Sequence, residues 1–153
     1  MRISAKAEYA TRAVSHLTLV WPGLAQISDI AEREDIPAKF LEAILLELKR
    51  ASIVASKRGV GGGYCLARSP ETITLANVIR VFDDSLGPVG GIERMRSGDG
   101  LTDAEFCLRK TWLGLASLIA ERLEGVTFAD VAEERRVNAT MATQTVTNGT
   151  AWF

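Results

Sequence analysis

Apolar residues recur at helical spacing through much of this chain, and the first long break in the rhythm is a run of glycines. In the first twenty residues Ala10, Val14, Leu17 and Val20 lie four, three and three apart. That spacing predicts an amphipathic helix over residues 5–20, which Pro22-Gly23 stops. The stretch ISDIAEREDIPAKFLEAILLELKR then holds two shorter periodic runs. Ser28 suits the N-cap of a helix carrying Ile30 and Ala31, Asp35 falls where a tight turn is needed, and Pro37 suits the first position of a second helix. This second helix, residues 37–50, gathers Leu41, Ile44, Leu45 and Leu48 on one face. Lys39, Glu42, Ala43 and Arg50 are left on its other sides. Two helices joined by about four residues, the second polar on its outer side, outline a helix-turn-helix. An ordinary helical hairpin in a bundle would show the same pattern.

The break is KRGVGGGYCLARSP, residues 57–70. Residues 53–57 (IVASK) and 64–67 (YCLA) are β-compatible, and glycine turns a chain at positive φ without steric cost, so a hairpin follows the second helix. A phosphate-binding loop would need Gly-Lys-Ser/Thr opening a helix, and a dinucleotide fingerprint would need a helix after the glycines. Here a strand and a proline follow instead. Bare backbone beside Lys57 and Arg58 can press closely on a sugar-phosphate chain, and an arginine there can enter a minor groove.

Beyond Pro70, TITLANVIRVFDD predicts a third amphipathic segment with Val78, Ile79 and Phe82 facing inward, and residues 84–101 form a long glycine-rich loop. Thr102 and Glu105 form a capping box for a long helix over residues 103–123. Leu108, Trp112, Leu115, Ile119 and Leu123 make one stripe along it, while Phe106, Leu113 and Ala120 lie elsewhere. That is more apolar surface than a small domain covers, which favours an intersubunit helix over burial within one chain. Thr127 with Asp130 resembles a second cap, opening a last short helix that ends near Arg136. The Thr/Asn/Ala-rich remainder lacks periodicity and is expected to be disordered.

Composition narrows the choice. A chain of 153 residues, 47% apolar, builds one core with an appended element. No stretch approaches the ~18 apolar residues of a membrane span, and no signal peptide is evident, so a cytoplasmic protein is expected. The net charge is -1, but it is unevenly spread. Residues 1–68 carry ten Lys/Arg against seven Asp/Glu, whereas residues 69–153 carry eight against twelve. The front portion is therefore the face for a polyanion. The two cysteines, Cys65 and Cys107, supply neither a disulfide framework nor a four-cysteine zinc site. No nucleophile with a neighbouring base, paired carboxylates or metal triad emerges, so an enzyme is not expected.

The segments ISDIAEREDIPAKFLEAILLELKRASIVASKRGVGGGYCLAR, ITLANVIRVFDD and VTFADV, in that order over about residues 1–135, resemble the Rrf-two family of bacterial winged-helix transcription regulators. That family includes sensors of iron-sulfur cluster status, nitric oxide, iron and cysteine supply. The resemblance implies a mainly α fold with a small β-hairpin wing, a winged helix-turn-helix plus a long dimerisation helix. Residues 1–83 would be the DNA-binding domain, 84–101 a sensor-type loop, 102–136 the dimerisation and closing helices, and 137–153 the tail.

It also implies a homodimer on double-stranded DNA at a pseudo-palindromic operator. The recognition helix would present Pro37, Ala38, Lys39, Phe40, Glu42, Ala43 and Arg50, with Ser28 on the helix before it. Lys57, Arg58, Gly59, Gly61, Gly62 and Tyr64 would form the wing, Arg2 and Lys6 would lie near phosphates, and Leu108, Trp112, Leu115, Ile119 and Leu123 would pair with the partner. Cluster-binding members carry three cysteines in the loop and the start of the long helix. Here only Cys107 matches, as the third of them, and Glu8 stands where some members supply an acidic ligand. Metal ligands are thus too few, so neither a metal nor an iron-sulfur cluster is expected. The leading expectation is a DNA-binding repressor whose signal arrives by a small molecule, a protein effector or Cys107 oxidation. The rivals are the same fold with a cluster on Cys107 and Glu8, and a protein-binding adaptor that does not read DNA.

Overall fold

The computed structural model describes residues 3–83 and 101–148. The first helix, α1 (Ala5–Leu19), starts where Ser4 caps it, its hydroxyl accepting from the Ala7 N–H at 3.2 Å. Its buried side is lined by alanines at positions 7, 10 and 13 together with Val14 and Leu17. Such small side chains let α1 lie close to its neighbours, and it packs against α3 (Ala38–Arg50), α4 (Leu75–Ile79) and α6 (Phe128–Asn148). Between α1 and α3 runs α2 (Ile27–Arg33), which ends in a turn through Asp35 at φ 50°. Left-handed backbone is tolerated by aspartate better than by most residues, and it reverses the chain into α3 here.

The predicted apolar seam of α3 is the observed one: Leu41, Ile44, Leu45 and Leu48 are its buried residues. Pro37 stands one position earlier than expected, as the N-cap, and Ala38 is the first helical residue. Strands β1 (Val54–Lys57) and β2 (Gly63–Leu66) pair antiparallel, Val54 opposite Leu66 and Lys57 opposite Gly63. A short 3-10 turn (Pro70–Thr72) leads to α4, which is capped reciprocally by Thr74 and Asn77. Val78 and Ile79 are buried as expected, and Phe82 is half-buried against the core.

Helix α5 (Asp103–Gly125) begins with the Thr102–Glu105 capping box that the sequence predicts. The second cap is present too: the Asp130 carboxylate accepts from the Thr127 N–H at 2.8 Å and hydroxyl at 2.7 Å. These two hydrogen bonds hold the Asp130 carboxyl below its usual value of 3.8. The expected helix end near Arg136, with a disordered remainder, is corrected: α6 continues to Asn148. No glycine or proline interrupts residues 127–148, so no breaker was there to stop it. Ser28 is also corrected as a cap, since the N-cap of α2 is Gln26, two residues earlier, and the Ser28 hydroxyl sits 3.5 Å from Asp29.

One core joins α1, α2, α3, the hairpin, Ile73, Val78 and Phe128. Phe128 is fully buried, and its N–H donates to the Ile73 carbonyl at 2.8 Å while Leu75 N–H reaches Val126 at 3.0 Å. The chain past α5 thereby returns to the helical head. Together these elements form a winged helix-turn-helix with a long helix, α5, projecting from it, and α5 buries no residue of its own within the chain. Among the described residues no helix is long and apolar enough to cross a membrane.

Candidate nucleic-acid interface

With its leucine seam turned inward, α3 leaves the opposite side open. Ala38, Lys39, Phe40, Glu42, Ala43, Leu46, Lys49 and Arg50 are all exposed, and Phe40 and Leu46 are apolar groups at 57% and 50% accessibility. Beside them stands the hairpin. A groove of about 380 Å³ between α3 and the hairpin is lined by Gln26, Leu46, Lys49, Lys57, Arg58 and Tyr64 among others. Lys49 bridges its two walls, its Nζ 2.6 Å from the Ser56 Oγ. Three cationic side chains therefore share one concave surface, flanked by the exposed face of a helix, an element that a DNA major groove admits.

The wing is held at its base. Tyr64 and Ala25 exchange two backbone hydrogen bonds of 2.8 Å, and the Gln26 amide donates to the Gly62 carbonyl at 2.8 Å. Gly59 and Gly61 have φ of 97° and 72°, conformations that L side chains rarely adopt. A Cβ on Gly62 would lie 2.3 Å from the Lys57 carbonyl oxygen.

Of the residues singled out in the sequence, Lys57, Arg58, Gly59, Gly62 and Tyr64 line this groove, and Lys39, Phe40, Glu42 and Ala43 occupy the open face of α3. Tyr64 is half-buried and packs against the core. Lys6 is exposed on α1 and Ser28 on α2, neither lining the groove, and Arg2 lies outside the described residues, as does the 84–100 part of the sensor-type loop. On α5, Leu108, Trp112 and Leu115 are exposed at 53%, 38% and 42%. Ile119 is half-buried, and Leu123 instead packs within its own chain against Ala7, Ala76 and Ile79.

Sequence reasoning missed a charged cluster beneath the helix-turn-helix. Glu34, 8% exposed, accepts from Arg135 Nη2 at 3.0 Å and meets His16 Nδ1 at 3.2 Å. Arg135 also donates to Ser15 Oγ at 2.8 Å, and Arg12 donates to the Glu34 carbonyl. The cluster joins α1, the end of α2 and α6. His16 is thus a buried partner of a carboxylate.

Among the described residues no donor set for an iron-sulfur cluster is brought together. Cys107 is exposed near the start of α5, Cys65 lies in β2 opposite Ala55, and Glu8 is paired with Arg12 at 3.5 Å. Among the described residues no three His, Cys, Asp or Glu side chains are grouped to hold a metal. Residues 84–100 contain no cysteine or histidine.

A family model described as "Iron-dependent Transcriptional regulator", that of Rrf2, matches residues 3–134. The chain belongs to the Rrf2 family. A candidate HTH-type transcriptional regulator of Azotobacter vinelandii, ORF2, is 36% identical over 133 residues, covering 86% of this chain and 79% of the relative. Among solved structures, CymR, the global cysteine regulator of B. subtilis, superposes with a TM-score of 0.74 at 28% identity, covering 88% of this chain and 98% of CymR. The IscR of T. potens gives 0.71 at 28% identity, covering 88% of each chain. The Rrf2 likeness thus extends over the helix-turn-helix, the wing, α5 and the start of α6.

Proposed function

We propose that this protein is a homodimeric, cytoplasmic transcription regulator that reads duplex DNA and acts as a repressor without an iron-sulfur cluster. The observation that carries the proposal is the groove between α3 and the wing, where Lys49, Lys57 and Arg58 converge beside an open helix face, in a chain of this family. In this reading α3 enters a major groove, where Glu42 can accept from a cytosine amino group and Ala43 can touch a thymine methyl. Lys49 and Lys57 neutralise phosphates, and Arg58 reaches the adjacent minor groove. The exposed Leu108, Trp112 and Leu115 of α5 meet the same helix of a second copy. Two-fold symmetry of the protein then calls for a pseudo-palindromic operator. With too few thiolates for a cluster, the signal enters through a small molecule, a partner protein or oxidation of the exposed Cys107.

Selection of genomic fragments by the purified protein, followed by anisotropy titration on the footprinted duplex, tests the proposal. Affinity should fall steeply with salt, and Arg58→Ala should lower both affinity and salt slope. Salt-independent or absent duplex binding would leave the adaptor reading standing. Trp112→Glu should shift sedimentation from dimer to monomer, and an unchanged dimer would remove α5 from the interface.

A further inference from the structure

We propose that Val60, at the apex of the wing, selects A·T over G·C base pairs where the wing enters the minor groove, an inference that rests on the DNA-binding reading above. Val60 is fully exposed, at 108% of its reference accessibility, the highest among the exposed large apolar side chains described. Single exposed valines are ordinary on protein surfaces, so exposure alone decides nothing. What matters is how this one is held.

The Gly62 N–H donates to the Gly59 carbonyl at 2.9 Å, closing a four-residue turn in which Val60 is second and Gly61 third. Gly61 carries φ 72°, the sign that a type II turn requires at its third residue. The turn is clamped from below by the Gln26 amide on the Gly62 carbonyl and by the paired backbones of Ala25 and Tyr64. At Gly62 there is no room for a Cβ, so the backbone there is fixed by its own packing. A branched apolar side chain thus projects from a stiff arm, and bare glycines on both sides leave it unshielded. The second position of such a turn accepts polar residues readily. An apolar group at the outermost point gains only when a partner takes it out of water.

The minor groove offers such a partner. Its floor displays only acceptors at A·T pairs, whereas a G·C pair adds the guanine N2 amino group. Valine neither donates nor accepts, so it leaves the floor acceptors unpaired at either pair, and over G·C it buries the guanine amino group unpaired as well. Arg58, on the flank of the same turn, supplies attraction that ignores sequence.

The test uses the full-length protein and its footprinted duplex. A·T pairs in the minor groove protected by the wing are replaced singly by G·C and by inosine·C, which lacks the N2 amino group. At one or more of these positions G·C should cost the wild type about tenfold in affinity, and inosine·C should restore it. Val60→Gly should bind both duplexes within about twofold of each other while keeping the wild-type melting temperature and salt slope. Arg58→Ala should keep the discrimination and lose salt slope. Equal harm from inosine and guanine, no discrimination by the wild type, or undiminished discrimination by Val60→Gly each overturns the assignment. A wild type that binds no duplex removes the DNA-binding reading and this inference with it, which is a separate outcome from these.

Discussion

Replacing Arg135 by methionine isolates what the last helix does for the DNA-reading head. The change keeps most of the aliphatic stem and removes the guanidinium that Glu34 faces at 3.0 Å and Ser15 at 2.8 Å. Stripping one partner from a fully buried ion pair costs about 3–5 kcal/mol. Two features reduce that here: the Arg135 side chain is 39% accessible, so water screens it, and Glu34 keeps His16 at 3.2 Å. A loss of about 1–2 kcal/mol is expected, or roughly 3–6 °C in melting temperature for a chain of this length. Urea unfolding at one fixed protomer concentration measures it, because dimer formation would otherwise shift the midpoint. The same change in a Glu34→Gln background should cost about 0.5 kcal/mol or less, since no buried charge is left to abandon. Equal losses in the two backgrounds, or none in either, would refute the view that α6 neutralises a carboxylate beneath the helix-turn-helix.

Leu45 and Leu46 are neighbours on α3 with opposite fates, at 0% and 50% exposure. Leu45→Ala should destabilise by about 2–5 kcal/mol, whereas Leu46→Ala should leave stability within about 0.5 kcal/mol and weaken duplex binding; denaturation and anisotropy together check both. Gly62→Ala pushes a methyl against the Lys57 carbonyl and should reduce duplex affinity with only a modest change in melting, while wild-type affinity would show that the wing's shape does not matter. The cap of α6 carries a pH signature. Because the folded Asp130 carboxyl titrates below its usual 3.8, its contribution is present above that value and disappears as acid carries the pH through the lower folded one. Asp130→Asn should therefore lower the urea midpoint near neutral pH and converge on the wild type in strong acid, and a constant difference across that range would contradict the assignment.

The seams of α1 and α3 and the caps of α5 and α6 were legible because each is written in a local code of spacing or of residue pairs three apart. The wing was legible for a similar reason: glycines between β-formers leave few alternatives. What escaped depended on residues far apart in the chain. Gln26 looks like a poor cap until its amide is seen to serve the wing at Gly62, 36 residues away. Glu34 carries no local signal of a partner, and only the return of α6 brings Arg135 to it across 101 positions. The length of α6 is not legible from composition, because Thr and Asn suggest disorder although no helix breaker interrupts residues 127–148. On the candidate interface, the polar residues of α3 and the wing arginine stood out from sequence, and the exposed Leu46 and Val60 did not, although Leu46 falls off the 41/44/45/48 seam and Val60 stands between glycines.

Phe128 fills the middle of the helical head, yet in the gene it lies beyond the whole of α5. While the ribosome is still making the earlier segments, the nascent head has a hole where that ring belongs. It can close only after residue 128 has emerged, so a fragment cut at residue 83 should be loose and sticky rather than an autonomous reader of DNA.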